Sequence, residues 1–465
     1  MRKTITVLLL FFTCCFVTQA QKWIEAGTGS NTLNANNTIQ SILIDKVGNV
    51  YAAGSFTDST NQSKGHTYVA TWNETDWTKL GGKNADTLNG QINSIVMDDS
   101  GNVYAAGNFT DTNGYYYVAK WTDTCWTELG ADSLHRLNAN GYIYSIIADD
   151  SCHVYAAGNF TNSNGFYYVA KWTDSTWIEL GTDSAHALRA NGWIYPIVLD
   201  DSGNVYAAGN FTDTSGNYYY IAKWNGTSWT ELGTGNNALN ANGFIRAMTV
   251  DTFNNIYAAG EFTDAAGNHY VAKWNGTTWT ELGSDNGALG ANNNINTLTT
   301  DNKGNLYAGG NFTDVNGNPY IAKWNGKSWS ELGTEKTALN ANRSILSIVV
   351  DTWGNLYAAG NFSDTSGYDY VAKWTSDTLN TTGILQAVNS ASISMYPNPG
   401  TDLVHIIAPE DGQLTMLTLT GEKVYTTAVN KSGSVIDINS LSSGMYIIQF
   451  NGQYTSYAPV KWVKQ

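Results

Sequence analysis

Six side chains offer the most distinctive chemistry in this chain: Tyr142, Tyr144, Trp193, Tyr195, Phe244 and Arg246. They flank an isoleucine in three sister segments, "YIYSIIAD", "WIYPIVLD" and "FIRAMTVD". Aromatic faces stack on sugar rings, and a guanidinium beside asparagines bonds hydroxyls. The expectation is a single asymmetric site for a glycan or a peptide. The competing reading is that the same rings pack and plug the interior. Sister copies place Thr38 and Gln40, Gln91 and Asn93, Asn294 and Asn296, and Ser344 and Leu346 at these positions.

Other chemistry is sparse. Segments of the "LNANG" type begin at Leu33, Leu88, Leu137, Leu188, Leu239, Leu289 and Leu339. Their asparagines could ring a set of sugar subsites, or simply satisfy loop backbone. Aspartates of "FTD" or "FSD" (Asp58, Asp111, Asp213, Asp264, Asp314, Asp364) precede glycine-containing loops that look superficially like calcium loops. Calcium needs several oxygen ligands at alternate positions. Ala, Val and Ser interrupt that pattern here, so turn capping is expected. The 6 His form no pair at metal spacing, and no nucleophile elbow, Cys/His pair or paired-carboxylate signature is present. No catalytic residue, metal ligand or cofactor is therefore assigned. Beyond the first twenty residues only Cys125 and Cys152 remain; each replaces a different residue of its sister copies, and a bridge between them stays open.

The elements that carry these residues repeat. "YAAG" or "YAGG" begins at Tyr51, Tyr104, Tyr155, Tyr206, Tyr257, Tyr307 and Tyr357, a spacing of 50 to 53 residues. A Trp preceded by Lys or Thr recurs at Trp72, Trp121, Trp172, Trp224, Trp274, Trp324 and Trp374. A second Trp, followed by "TELG" or a variant, recurs only six times, at Trp77, Trp126, Trp177, Trp229, Trp279 and Trp329. The seventh stands at the other end of the chain, in "WIEAG" from Trp23. A linear array gains nothing by starting mid-repeat, whereas a ring closes on its first strand and leaves no sheet edge unpaired. The fold expected is all-β: a seven-bladed β-propeller of four-stranded blades, closed by the N-terminal strand, over residues 21–375.

The fifth copy predicts strand A over 244–251, B over 255–262, C over 269–275 and D over 278–283. Asn275-Gly276 predicts a tight type I′ hairpin. An Asp six residues before each repeat Tyr predicts an Asp-capped A–B turn. The tryptophans predict an aromatic core, with small "AAG" segments letting neighbouring rings approach.

Composition narrows function. Charged residues are 14 %, about half the usual share, and Lys plus Arg number 24 against 39 Asp plus Glu, a net charge of −15. Such a field repels nucleic acid. Residues 1–20 read as a secretory signal peptide: Arg2 and Lys3, then "TVLLLFFTCCFV", then Thr18-Gln19-Ala20. The mature chain has no apolar run long enough to span a membrane, and is expected to be a monomer.

"DDSGNVYAAG" (200–209) resembles the strand–turn–strand units of bacterial β-propeller repeats of the NHL and SBBP types. After Trp374 the period stops, and 376–391 reads as a linker. From 392 to 465, "YPNP", "GEKV", "LSSGMY" and a basic end are similar to the type A C-terminal sorting domain of the type IX secretion system of Bacteroidetes. Alternating apolar residues there fit a small C-terminal β-sandwich. The resemblance implies Sec export, handling by the type IX machinery, removal of the tail, and release or attachment to surface lipopolysaccharide. The functional expectation is a secreted or cell-surface, non-catalytic adhesin or carbohydrate- or protein-recognition propeller. An extracellular polysaccharide-degrading enzyme and a structural surface component remain the alternatives.

Overall fold

The computed structural model describes residues 21–375, except 28–30, 59–65, 83–87, 133, 184, 214, 217, 284–286 and 334, and residues 394–464, except 397–400, 409, 419–422, 432 and 453–459. The expected signal peptide and linker lie outside the described residues. The chain divides into two compact units, 1–378 and 379–465.

The first unit holds seven antiparallel sheets of four strands. Six are continuous in sequence. In blade 5, strand A is Ile245–Val250, B is Ile256–Gly260, C is Ala272–Trp274 and D is Trp279–Glu281. Blade 7 takes Ile345–Val350, Leu356–Gly360 and Ala372–Thr375 from the end of the repeats, and its fourth strand, Lys22–Glu25, from the start. Trp23 pairs with Trp374 and Glu25 with Ala372. Each strand A packs against strand A of the next blade, and the circuit closes where Ile39–Ile44 meets Ile345–Val350. The protein is thus a seven-bladed propeller locked by its own first strand.

The seam uses the devices found at other junctions. Trp23 Nε1 donates to the Leu332 carbonyl (3.0 Å) and Trp77 Nε1 to the Ala26 carbonyl (2.7 Å). Trp229 and Trp279 make the same reach to Leu180 and Leu232 of the preceding blade. Inside, a hydroxyl strap joins neighbouring A strands: the Ile95 N–H donates to Ser41 Oγ, Ile146 to Ser94, and, across the seam, Ile42 to Ser347. Pro196 and Ala247 stand at the hydroxyl position in blades 4 and 5 and cannot act as straps.

Period-two alternation explains "YAAG". Tyr155 and Ala157 of blade 3 pack against Val205, Ala207 and Phe211 of blade 4 in one cluster. A central strand buried on both faces reads as a continuous apolar run. The core differs from expectation in its rings. The ring buried most deeply in every blade is a phenylalanine two residues after the glycine of "YAAG" or "YAGG" (Phe56, Phe109, Phe160, Phe211, Phe262, Phe312, Phe362), and the Tyr at the approach to strand C meets it edge-on, as Tyr270 meets Phe262 at 4.8 Å. Of the fourteen marker tryptophans only Trp72, Trp121, Trp229 and Trp374 are buried; the rest are half-buried on the short outer strands. The close approach expected at "AAG" holds for Tyr155, which packs beside Ala207 of the next blade, and an indole also comes close at the glycine after strand D. Gly233 has φ +86°, and a Cβ there would lie 2.8 Å from Trp274 Cζ3.

Two further local expectations are corrected. Strands C and D are three residues long in blade 5, because His269 bridges only to Thr263 and Ala291, outside the ladder. The C–D loop is no type I′ turn. Gly276 has φ +94° but Asn275 is not left-handed, and Asn275 Oδ1 instead accepts the N–H groups of Thr277 and Thr278. The A–B turn follows expectation. Asp251 Oδ1 accepts from Phe253 N and Asn255 N, and its Oδ2 accepts from Asn255 Nδ2 and Tyr257 OH. Burial opposes ionisation of Asp251, but these donors outweigh it and hold its pKa below the ordinary carboxylate value. The Asp-to-Tyr spacing of six is therefore a hydrogen-bond requirement.

The second unit has two sheets. One joins Ser394–Tyr396, Leu403–Ile407 and Ser434–Asp437; the other joins Gly412–Leu417, Lys423–Val429, Gly444–Gly452 and Val460–Lys464. Val404 and Ile436 of the first share a core with Leu414, Ile448, Phe450 and Trp462 of the second, a small β-sandwich. Among the described residues no helix is long and apolar enough to cross a membrane.

Candidate functional site

The sequence-predicted residues sit at the start of strand A in blades 3, 4 and 5, where a register shift follows the first isoleucine in each blade. The structure brings five of the six together. Tyr144 stacks on Tyr195 of the next blade, with centroids 4.9 Å apart and planes at 17°. Trp193 lies 6.2 Å from both, tilted to Tyr144 and edge-on to Tyr195. Tyr142 stands edge-on to Tyr144 at 6.4 Å and is 41 % exposed. The Arg246 guanidinium lies over the Tyr195 ring at 5.6 Å. Phe244 is seated instead on Tyr219, edge-on at 5.2 Å.

Tyr195 thus sits between Tyr144 of the preceding blade and Arg246 of the following one. Its ring is part of a stacked row, and Tyr142 and Trp193 flank that row. Arg246 is held in turn: its Nε donates to Glu261 Oε1 at 2.7 Å, and Nη2 bonds the same oxygen. Sister copies carry Asn or Ser where Glu261 stands, and blade 6 forms the neutral counterpart, Asn296 Nδ2 to Asn311 Oδ1 at 3.0 Å. Burial pushes the Tyr144 hydroxyl up to about 12, with Tyr195 and Tyr142 adding to it. Burial also raises Tyr195, against the pull of Arg246. Both phenols are neutral donors at physiological pH.

Sequence reasoning missed a second tier. Tyr116 packs edge-on against Tyr142 at 5.1 Å, and Tyr219 holds Phe244. In blade 5 the equivalent residue is His269; burial lowers its pKa, while the Gly260 carbonyl and Glu261 draw it back up. This position reads Thr67, Tyr116, Tyr167, Tyr219, His269, Pro319 and Asp369 around the ring, beside a Tyr present in all seven copies. That variability is the same signal that marked the strand A residues.

The asparagine segments are structural. Asn242 Oδ1 accepts the Thr263 N–H (2.8 Å) and its Nδ2 donates to Thr263 Oγ1, a clamp repeated at Asn36, Asn140, Asn191, Asn292 and Asn342. The residue two before the clamp is left-handed, with φ +48° at Asn240 and +57° at Gly290, which is why Asn or Gly recurs there in most copies, Arg189 being an exception. Blade 2 departs from the others: Leu88 bridges Thr67 as Ala139 bridges Tyr116, so Leu88 fills the place of that alanine and not of Leu137. The "FTD" aspartates cap turns, as Asp264 Oδ1 does for Ala266 N and Asn268 N. Cys125 and Cys152 are free thiols.

Comparison with known proteins bears on the two units differently. Residues 394–465 match the secretion system C-terminal sorting domain. This tail marks the protein for type IX export, to the cell surface or into the medium. No curated protein sequence matches the chain. Among solved structures, PorZ, described as an essential surface component of the type IX secretion system of Porphyromonas gingivalis, superposes with a TM-score of 0.50 at 13 % identity. That superposition covers 92 % of this chain and 59 % of PorZ. The extracellular domain of a one-component system from B. thetaiotaomicron gives 0.46 at 14 % identity, over 96 % of this chain and 58 % of that one. The chain therefore spans about three fifths of the length of either structure. At this identity the likeness to PorZ concerns fold alone.

Proposed function

We propose that this exported propeller is a non-catalytic recognition module, and that it holds a glycan where blades 3, 4 and 5 begin. One observation carries the reading. The breaks in an otherwise repetitive strand A fall on neighbouring blades, and the side chains they introduce touch one another. Tyr142, Tyr144, Trp193, Tyr195 and Arg246 form one connected surface, supported by Glu261 and Tyr116. The stacked row of Tyr144, Tyr195 and Arg246 makes a rigid floor. Tyr142 and Trp193 supply the ring faces on which sugars stack, and the two neutral phenols and Arg246 supply donors for hydroxyls.

A glycan array probed with residues 21–375 tests this. Trp193→Ala removes a half-buried ring without touching a blade-to-blade latch, so the propeller keeps its melting temperature while array signal falls at least about tenfold, the loss expected for one stacking contact. Unchanged signal in that variant, or no signal from the parent protein, would contradict the site.

A further inference from the structure

A second feature repeats around the ring and is resolved differently in different blades. Each blade pairs the residue at the Asp position of "FTD" with the residue at the Glu position of "TELG". In blade 6 these are Asp314 and Glu331; burial raises the Glu331 pKa and Asp314 raises it further. Blades 4 and 5 repeat the arrangement with Asp213 and Glu231, and with Asp264 and Glu281. Like charges held close in a half-buried place are unfavourable.

Three blades relieve this from within the chain, each by different means. Blade 1 replaces the glutamate by Lys79, whose Nζ lies 4.0 Å from Asp58. Blade 3 replaces the aspartate by Asn162, whose Nδ2 donates to Glu179 at 3.0 Å. Blade 2 keeps both acids and brings in a guanidinium. Arg136 Nη1 lies 3.0 Å from Asp111 Oδ2, and its Nε lies 3.7 Å from Glu128 Oε1 while donating to the Ala131 carbonyl. Arg136 immediately precedes the buried Leu137.

In blade 6 the residue before the buried Leu339 is Ala338. Where the Arg136 side chain lies in blade 2, blade 6 has a cavity of about 580 Å³, lined by Asp314, Glu331, Tyr320, Ala338, Asn292 and Asn340 among others. The two aspartates are held by the same hydrogen bonds. Asp111 Oδ1 accepts from Asn113 N and Tyr115 N, and Oδ2 from Asn113 Nδ2 at 3.2 Å. Asp314 Oδ1 accepts from Asn316 N and Asn318 N, and Oδ2 from Asn316 Nδ2 at 3.3 Å. Blade 2 shows that this Oδ2 takes a guanidinium as well.

We propose that the blade 6 cavity is a socket for a guanidinium group, presented by an arginine side chain of a partner polypeptide. The planar fork bridges two carboxylates from one side chain, which a point-charge ammonium does less well. The socket shares no residue with the aromatic site and stands independently of it. Its occupant would do for blade 6 what Arg136 does for blade 2.

The test is methyl NMR on the full chain labelled at alanine methyls, titrated with N-acetyl-arginine amide and, at matched ionic strength, N-acetyl-lysine amide. The Ala338 methyl should shift saturably, with the arginine derivative binding about threefold tighter or better. Glu331→Gln should weaken binding about tenfold. Arg136→Ala empties the twin place and should add a second responding methyl at position 136. An Ala338 methyl that does not respond, or that responds equally in Glu331→Gln, overturns the proposal. Equal response to the two derivatives overturns the guanidinium preference.

Discussion

Single residues in this ring are most informative where they depart from their sisters. Asp369 stands where other blades carry Tyr, His, Thr or Pro; burial raises its carboxyl to about 6, against the pull of Arg343. A raised carboxyl pKa means that the folded chain keeps a proton the unfolded chain, at about 3.9, gives up. Its contribution to stability is full below about pH 4 and is lost as pH rises through about 6. Asp369→Asn removes that dependence. The stability of the variant relative to the parent should therefore rise by about 2 kcal/mol between pH 4.5 and pH 8, as read from urea midpoints. The turn aspartates do not obscure this window. Asp98, Asp149, Asp200, Asp251 and Asp301 are lowered, so their contribution is present above the ordinary carboxylate range and fades only at more acid pH. At this scale the sequence was legible where chemistry is local. The Asp-capped turn needs only residues within six of one another. That Tyr195 would be sandwiched between Tyr144 and Arg246 depends on how blades splay, which no local spacing encodes. The spread of Thr, Tyr, His, Pro and Asp at the second-tier position was open to the same comparison and pointed to the same place.

At the scale of elements, blades are held together by a few repeated devices. Strand A is tied to its neighbour by a hydroxyl, and strand D by an indole N–H. Ser94→Ala leaves the Ile146 N–H without its hydroxyl partner and should cost about 1 kcal/mol. Sister blades already show which side chains break the device, since Pro196 and Ala247 occupy the same place. These two positions fall in the blades that carry Trp193, Tyr195 and Arg246, so the interior is least regular where its surface is most specialised. The strand pattern was readable because its period is two. The strand lengths were not: "HYVAKWN" alternates over seven residues, yet only Ala272–Trp274 joins the ladder, because His269 turns to bridge the loop of the next blade. Tryptophan misled in the same way. Its size suggests a core, but strand D is outermost, and an indole there covers the blade edge while its N–H reaches across.

For the whole molecule, the telling fact was the position of one half-repeat. Trp23 at the start and the lack of a partner marker after Trp374 together imply a circle, and the structure closes it with the same indole latch, strand register and hydroxyl strap found elsewhere. A closed ring needs no other protein to cover its edges, which suits a protein exported as one chain. It also fixes blades 3, 4 and 5 rigidly side by side, and the proposed glycan site depends on that. The most direct measurement is urea unfolding of the propeller without residues 21–27, with and without the peptide QKWIEAG added in trans. Closure by this strand predicts a lower midpoint that the peptide raises in a concentration-dependent manner. An unchanged midpoint, or one indifferent to the peptide, would contradict it.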